Sequence, residues 1–219
     1  MRHTQTRRPT TYFEELSDAD RTARLHAMLA DRPKTDDVWV FAYGSLIWQP
    51  CFAYVERLRA TLAGYRRCFS VWTLIARGTP AAPGLALALE EGDGVCHGVA
   101  YRLAPSYALA GLEALWAREM LTSIYCPRWL TVTVDARAVT AISFVVEKTN
   151  AQYAGALPTA EQAAIIAAAQ GKFGSCRDYL ANTVAELAVL GIDEPGLTAL
   201  LQEVDAIVAC NTSQNAPEP

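Results

Sequence analysis

The residues with the clearest chemical potential follow an apolar run at 38–41 and are Tyr43, Gly44 and Ser45. A run of β-branched and aromatic residues that stops at small and polar ones is typical of a buried strand leading into a tight turn. Gly44 permits a positive φ and a close backbone approach, so successive amides can point toward one ligand. Such amides bind a carboxylate or stabilise an oxyanion, with the Tyr43 and Ser45 hydroxyls at the rim. The same residues also fit an ordinary strand-to-turn exit.

Glu119 is the second candidate, because a carboxylate is unusual at its position on a predicted helix over residues 106–120. Ser106 is the predicted N-cap of this helix. At about 100° per residue, Glu119 falls near the centre of an apolar face. That face consists of Leu109, Leu112, Leu115 and Trp116. Burial and the negative end of the helix dipole both favour a protonated carboxyl, so we predict a raised pKa, which suits a general acid or base working near neutral pH.

A structural role for Glu119 fits the same pattern. A buried carboxylate is costly unless it is paired, hydrogen-bonded or protonated. Arg77, Arg128 or another arginine can supply a partner for such a buried ion pair. Arg118, its neighbour in the sequence, is predicted to point away from the apolar face. The residues alone leave the catalytic and the structural interpretation open.

The elements around these candidates predict an α+β fold. A helix begins at the N-cap Ser17 and ends near Ala30. Strands are predicted at 38–41, 56–62, 66–72, 85–89, 97–103, 129–134 and 141–147, with turns at Gly64 and at 92–94. Many strands with one amphipathic helix favour a small mixed sheet or a closed barrel.

The pattern becomes helical from about residue 158. Thr159 and Gln162 form a predicted capping box for a helix that ends at Gly171. Further helices are predicted at 175–190 and 195–208. We therefore divide the chain into an N-terminal extension with one helix at 1–36, a single domain at 37–208 with a helical C-terminal part, and a flexible tail at 209–219.

The composition bounds the classes of partner. With 52% hydrophobic and 19% charged residues, the 219 residues are enough for the full core of one large domain. A net charge of −4 does not suggest a nucleic-acid or anionic-membrane partner. No apolar run reaches membrane-spanning length, and polar residues stand where a signal peptide has its apolar core. We therefore expect a cytoplasmic protein that binds neither nucleic acids nor membranes.

The sequence lacks the motifs of common cofactor and metal sites. It contains no glycine-rich phosphate loop, no GxGxxG, no GxSxG and no HExxH. Its 6 cysteines and 3 histidines are scattered without the spacing of metal ligands. We therefore predict no cofactor, no metal and free thiols rather than disulfides.

Several motifs follow one another along the chain and are informative as a set. They are FAYGSLIW at 41–48, GYRR at 64–67, RGTP at 77–80, PGL at 83–85, WAREM at 116–120, PRW at 127–129, QY at 152–153 and DYL at 178–180. Taken together, they resemble the ChaC family, whose members are glutathione-specific γ-glutamylcyclotransferases. The resemblance spans about residues 37–205, and the ordered set is far more specific than any one motif.

The resemblance implies a γ-glutamylcyclotransferase-like mixed β-barrel with flanking helices. It also implies cleavage of glutathione to 5-oxoproline and cysteinylglycine, without a cofactor. By motif position, Glu119 is the implied catalytic acid/base. The residues assigned to substrate binding are Ala42, Tyr43, Gly44, Ser45, Leu46, Ile47, Arg77, Tyr125, Tyr153 and Tyr179.

Two departures from the family pattern concern substrate preference. Ser123 stands where a glycine is expected, and Cys176 stands where an asparagine is usual. One alternative is therefore a cyclotransferase for another γ-glutamyl substrate. Two other classes of function stay open. They are a non-catalytic binding protein linked to cation transport and a metal-dependent hydrolase. The oligomeric state is not predicted.

Overall fold

The structure is a computed structural model that describes residues 8–33 and 37–214. Residues 1–7 and 34–36 of the predicted N-terminal extension, and 215–219 of the predicted tail, lie outside the described residues. In chain order the helices and strands are α1 (Asp18–Ala30), β1 (Trp39–Ala42), β2 (Tyr54–Thr73), β3 (Gly84–Leu103), α2 (Ala108–Glu119), β4 (Tyr125–Val134), β5 (Arg137–Val146), α3 (Thr159–Ala168), β6 (Gln170–Gly171), β7 (Gly174–Ser175), α4 (Cys176–Val189) and α5 (Pro195–Gln214).

Five strands close into a barrel in the order β1–β3–β2–β4–β5. β1 completes the closure by pairing in parallel with β5, where Val40 lies opposite Ile142. Its other edge is antiparallel to β3, where Phe41 lies opposite Ala100. All four residues of β1 are buried, so the strand that leads into the candidate loop lies in the core. The mixed barrel, together with the helices, confirms the predicted α+β class.

β2 and β3 are each much longer than the sequence predicted. β2 continues through Gly64 and β3 continues through the 92–94 segment, so the turns predicted there are wrong. Gly64 has a φ of 78° and Gly94 a φ of 143°. A glycine with positive φ inside a strand is typical of a bulge, which bends the strand without ending it. Pairing around the barrel therefore overrides the local turn signal.

The start of α2 also differs from the prediction. Pro105 begins a 3-10 turn that contains Ser106, and the N-cap of α2 is Tyr107. The predicted cap at Ser106 is therefore wrong, because the fixed φ of proline suits the first position of a helical turn and starts the turn ahead of the serine. Leu109 is 55% exposed, so the buried face of α2 is narrower than predicted.

The predicted caps of two other helices have opposite outcomes. The Ser17 side chain accepts a hydrogen bond from an amide in the first turn of α1, which confirms this cap. The capping box of α3 is wrong, because Pro158 is the N-cap and Thr159 is already helical. The Gln162 side chain instead donates to the carbonyl oxygen of Leu157.

Two helices end at other positions than predicted. α3 ends at Ala168, and the short pair β6–β7 follows where helix was predicted as far as Gly171. α5 continues to Gln214, so residues 209–214 of the predicted flexible tail are helical. The Thr212 and Ser213 hydroxyls donate to carbonyl oxygens four residues earlier. Such bonds accommodate these polar side chains within a helix.

The described chain forms two compact units. Unit 1 contains residues 8–12, 69–87 and 151–214, and unit 2 contains residues 13–68 and 88–150. β2 and β3 each contribute residues to both units, so the division does not follow the predicted boundaries, and a single domain at 37–208 stays a prediction. Among the candidate residues, unit 2 contains 42–47, Glu119 and Tyr125, and unit 1 contains Arg77, Tyr153 and Tyr179.

Two further sequence expectations concern cysteines and membranes. The six cysteines all lie within the described residues, and the structure records no disulfide bond among them. Over the described ranges, no helix combines the length and the apolarity that a membrane span requires.

Candidate active site

The candidate loop at 42–47 leaves the end of β1 and enters a 3-10 turn, Ser45–Ile47, in unit 2. The Ile47 amide donates to the Gly44 carbonyl oxygen at 2.9 Å. The amides of Ser45 and Leu46 stand at the start of the turn, where an amide has no acceptor within the turn itself. These two donors are the part of the loop that can meet a carboxylate or an oxyanion.

Side chains from β2 and β3 hold the loop in place. The Tyr101 hydroxyl lies 3.0 Å from the Leu46 carbonyl oxygen and 2.9 Å from that of Ile47. Arg57 donates to the Ile47 carbonyl oxygen at 3.2 Å, and Arg67 donates to the carbonyl oxygen of Tyr43. Sequence reasoning missed all three anchors, because each lies on another strand, between 10 and 55 positions from its partner in the loop.

Two expectations for the loop are wrong. Gly44 has a φ of −132°, so it does not use the positive φ that only glycine adopts easily. The Tyr43 hydroxyl is not at a rim, because the side chain is buried and donates to the Phe144 carbonyl oxygen at 2.9 Å. The side chains at 42, 46 and 47 are buried as well. A ligand of this loop would therefore meet backbone amides and Ser45.

Glu119 is the last residue of α2 and lies next to the buried face formed by Leu112, Leu115 and Trp116. Its side chain is only 18% exposed. Burial raises the pKa of the carboxyl above its ordinary value, and the positive charge of Arg118 opposes this rise without cancelling it. Within the described part of the chain the carboxylate accepts no hydrogen bond. A nearly buried carboxyl with free acceptor positions is costly for a fold, and such a group calls for a functional explanation.

Arg118 connects Glu119 to the loop. Its Nε lies 3.5 Å from Glu119 Oε1, and its Nη2 donates to Ser45 Oγ at 2.9 Å. The ion pair proposed from the sequence thus exists, with Arg118 as the partner, whereas Arg128 pairs with Glu91. The prediction that Arg118 points away is wrong, because a long side chain in the last helical turn reaches a loop that a helical projection does not contain.

The Cys51 thiol completes the group of polar side chains around Glu119. Burial raises the pKa of this thiol, Arg118 lowers it, and the negative charge of Glu119 raises it again. No sequence pattern singled out Cys51. Its place becomes visible only once the loop after β1 has turned back toward α2.

Tyr125 and Ser123 follow α2 in unit 2. Tyr125 is half-buried at the start of β4, opposite Val146. Ser123 is exposed, and its hydroxyl accepts a hydrogen bond from Asn150 at 3.1 Å. The serine that departs from the family pattern therefore ties the segment after α2 to the segment after β5.

Unit 1 brings together Arg77 and Tyr179. The Arg77 guanidinium lies 5.6 Å from the centre of the Tyr179 ring and donates to the Ser175 carbonyl oxygen at 3.3 Å. The Tyr179 hydroxyl accepts from the Leu87 amide at 3.3 Å. Tyr153 forms an isolated antiparallel bridge with Val71. The structure thus brings Arg77 and Tyr179 into contact.

Cys176, the second departure from the family pattern, is fully buried in unit 1. Its thiol donates to the Leu85 carbonyl oxygen at 3.0 Å. Burial raises the pKa of the thiol to about 11, so it stays protonated at neutral pH. In this position the cysteine acts as a buried hydrogen-bond donor.

Neither a metal-ligand cluster nor the cavity in unit 1 adds another site among the described residues. Among the described residues, no three or more His, Cys, Asp or Glu side chains are grouped to hold a metal ion. A cavity of about 340 Å³ in unit 1 is lined by residues at 8–10 and 80–83 and by Ile165 and Ala168. It contains none of the candidate residues.

Glu119→Gln is expected to raise the free energy of unfolding near neutral pH. The raised pKa means that the folded state binds more protons than the unfolded state above the ordinary value of 4.5. The wild-type free energy of unfolding therefore falls as the pH rises from that value through the folded pKa, whereas a glutamine does not titrate. Chemical denaturation of both proteins over this range measures the difference, which should grow with pH. A difference that is constant with pH would contradict it.

The chain is similar in sequence to known proteins over most of its length. The chain is 39% identical to the glutathione-specific gamma-glutamylcyclotransferase of Escherichia coli (strain K12) over 204 residues, which cover 93% of this chain and 88% of that protein. It is 34% identical to gamma-glutamylcyclotransferase 2-3 of Arabidopsis thaliana, over 78% of this chain and 90% of that protein.

The fold is similar to that of a solved structure. A crystal structure of a yeast γ-glutamyl cyclotransferase specific to glutathione has a TM-score of 0.73 and 25% identity, over 78% of this chain and 97% of that chain. This likeness confirms the γ-glutamylcyclotransferase-like fold. The family model of ChaC-like proteins matches residues 38–207. The chain therefore belongs to the family of ChaC-like proteins.

Proposed function

We propose that this protein is a glutathione-specific γ-glutamylcyclotransferase, which converts glutathione to 5-oxoproline and cysteinylglycine. The names of its relatives support the activity and the substrate. The observation that carries the proposal is the Glu119 carboxyl, which is nearly buried, has a raised pKa and accepts no hydrogen bond from the described chain. Those are the properties of a group kept free for proton transfer.

The reaction needs a proton carrier and no second substrate. The α-amine of the γ-glutamyl group must lose a proton before it attacks its own γ-carbonyl carbon. The new C–N bond closes a five-membered ring, the old amide C–N bond breaks, and the departing amine of cysteinylglycine gains a proton. Glu119 takes the proton that the amine nitrogen loses and returns it to the departing amine, so the protons balance. Water is not consumed, because the nucleophile is the substrate's own amine.

The loop at 42–47 supplies the complementary part of the mechanism. The ring closure passes through a tetrahedral intermediate with a negatively charged oxygen. The amides of Ser45 and Leu46 are suited to stabilise that oxygen or to bind the glutamyl carboxylate. Anchoring by Tyr101, Arg57 and Arg67 fixes the loop before substrate arrives, which reduces the cost of reorganisation.

The intramolecular character of the attack explains why we propose no metal and no cofactor. Nucleophile and electrophile belong to the same molecule, and well-oriented intramolecular reactions reach effective molarities of about 10⁵–10⁸ M. Folding the glutamyl group into the reactive conformer therefore supplies much of the acceleration. Arg77, Tyr125, Tyr153 and Tyr179 stay predicted substrate-binding residues, and a cytoplasmic location stays a prediction as well.

Purified protein is expected to form 5-oxoproline and cysteinylglycine from millimolar reduced glutathione, without added metal or nucleotide. Chromatographic detection of both products measures the activity, and a chelator should leave the rate unchanged. A panel of other γ-glutamyl peptides tests substrate preference in the same assay. A folded sample that yields neither product from glutathione would contradict the proposal, and faster turnover of another γ-glutamyl peptide would favour the alternative substrate.

A further inference from the structure

Arg118 directs each of its three side-chain nitrogens at a different group. Nη2 donates to Ser45 Oγ at 2.9 Å, and Nη1 donates to the Gln49 carbonyl oxygen at 2.5 Å. Nε lies 3.5 Å from Glu119 Oε1. One guanidinium therefore spans the distance from the 45–49 segment after β1 to the carboxylate at the end of α2.

We propose that Arg118 is a positioning residue, whose guanidinium holds the Glu119 carboxylate and the 45–49 segment in one fixed arrangement. The inference rests on the proposed function, in which Glu119 carries protons and the loop amides meet the substrate. Glu119 accepts no hydrogen bond within the described chain, so Arg118 is the polar group available to orient its carboxylate. A misplacement of about 1 Å between reacting groups can cost on the order of 100-fold in rate.

The three contacts require the shape of an arginine. A guanidinium is planar and presents donors in several fixed directions, whereas an ammonium is a compact point charge. A lysine at position 118 keeps the positive charge but cannot face Ser45, Gln49 and Glu119 at once. Arg118→Lys and Arg118→Gln therefore separate the geometric contribution from the charge.

Arg118 also supplies positive charge beside a carboxyl that burial disfavours in its ionised form. Arg118 and the Cys51 thiol are the groups of the described chain for which the structure gives an electrostatic interaction with Glu119. Without the arginine, burial acts on the Glu119 pKa unopposed, and the carboxyl titrates at a still higher pH. Because the base must be ionised to take a proton, the acidic limb of the pH–rate profile should move to higher pH.

The test compares kcat/KM for glutathione across pH in the wild type and both variants. Arg118→Gln should lose about 10- to 100-fold near neutral pH and recover part of the loss at higher pH. Arg118→Lys should keep the acidic limb near its wild-type position but lose activity at every pH. Arg128→Gln is the matched control, because this arginine pairs with Glu91, and its profile should be unchanged.

Three outcomes would overturn the inference. They are a near-wild-type rate in Arg118→Gln, a uniform loss in that variant without movement of the acidic limb, and full activity in Arg118→Lys.

A second measurement does not depend on turnover. A double-mutant cycle of unfolding free energies with Arg118→Gln and Glu119→Gln should give a coupling that disappears at low pH, where Glu119 is protonated.

A coupling of zero at neutral pH would overturn the inference even in an inactive protein. The opposite combination is also informative. If the cycle gives the expected coupling but the wild-type protein releases no 5-oxoproline from glutathione, the proposed function is rejected and the Arg118–Glu119 ion pair stands. The two failures are therefore distinguishable.

Discussion

Glu119→Gln should lower kcat for glutathione by about 10²–10⁴-fold while the protein stays folded, because general acid–base catalysis typically contributes that much. Glutamine keeps the volume of the side chain but cannot accept and return a proton. KM should change little, since the lost interaction belongs to the transition state. Steady-state kinetics with 5-oxoproline as the measured product, combined with circular dichroism, tests both parts of the expectation.

Glu113→Gln is the matched control for this experiment. Glu113 lies on the same helix as Glu119 but is exposed, so the same chemical change should leave kcat within about twofold of the wild type. If Glu119→Gln keeps more than about a tenth of the wild-type kcat, proton transfer by this residue does not make the proposed contribution to catalysis.

Stability separates the catalytic role from a structural ion pair. Removing one partner of a structural buried pair leaves an uncompensated charge and is strongly destabilising. The raised pKa of Glu119 predicts the opposite, because neutralising a carboxyl that burial disfavours relieves a cost. A variant that is less active yet more stable would fit the catalytic interpretation, whereas an unfolded variant would favour the structural one.

Glu119 was predictable from the sequence because helical periodicity is a local signal. Leu112, Leu115 and Trp116 mark the buried face within one helix length, and a carboxylate beside them is conspicuous. The Ser17 cap and β1 were predictable for the same reason. Their determinants lie within a few residues of each other in the chain.

The features of the fold and of the candidate site that the sequence did not predict depend on contacts between residues that are distant in the chain. Arg118 bonds Ser45 across 73 positions, and the Tyr43 hydroxyl bonds the Phe144 carbonyl oxygen across 101 positions. A helical projection cannot show the first contact, and a turn motif cannot show the second. Gly64 was misassigned for a related reason, because it lies inside β2, a long barrel strand that continues past it in both directions.

Gly98 is a place where the barrel and the loop depend closely on each other. A Cβ atom at this position would lie 2.3 Å from the Ala42 carbonyl oxygen and 3.0 Å from the Phe41 ring. The Ala42 oxygen is backbone at the end of β1, directly before Tyr43, so it cannot move without moving the start of the loop. Arg67 also donates to the carbonyl oxygens of both Tyr43 and His97, which fixes this region further.

Gly98→Ala is therefore expected to lower the free energy of unfolding by about 1–3 kcal/mol, the usual cost of overpacking a filled core. Activity on glutathione should fall as well, because β1 must shift just ahead of the amides of Ser45 and Leu46. Gly92→Ala in the same strand is the control, since a Cβ atom there has nothing within 4 Å. Urea denaturation and kinetics of the two variants measure both effects. If Gly98→Ala matches Gly92→Ala in stability and in rate, the close contact with Ala42 does not constrain the loop.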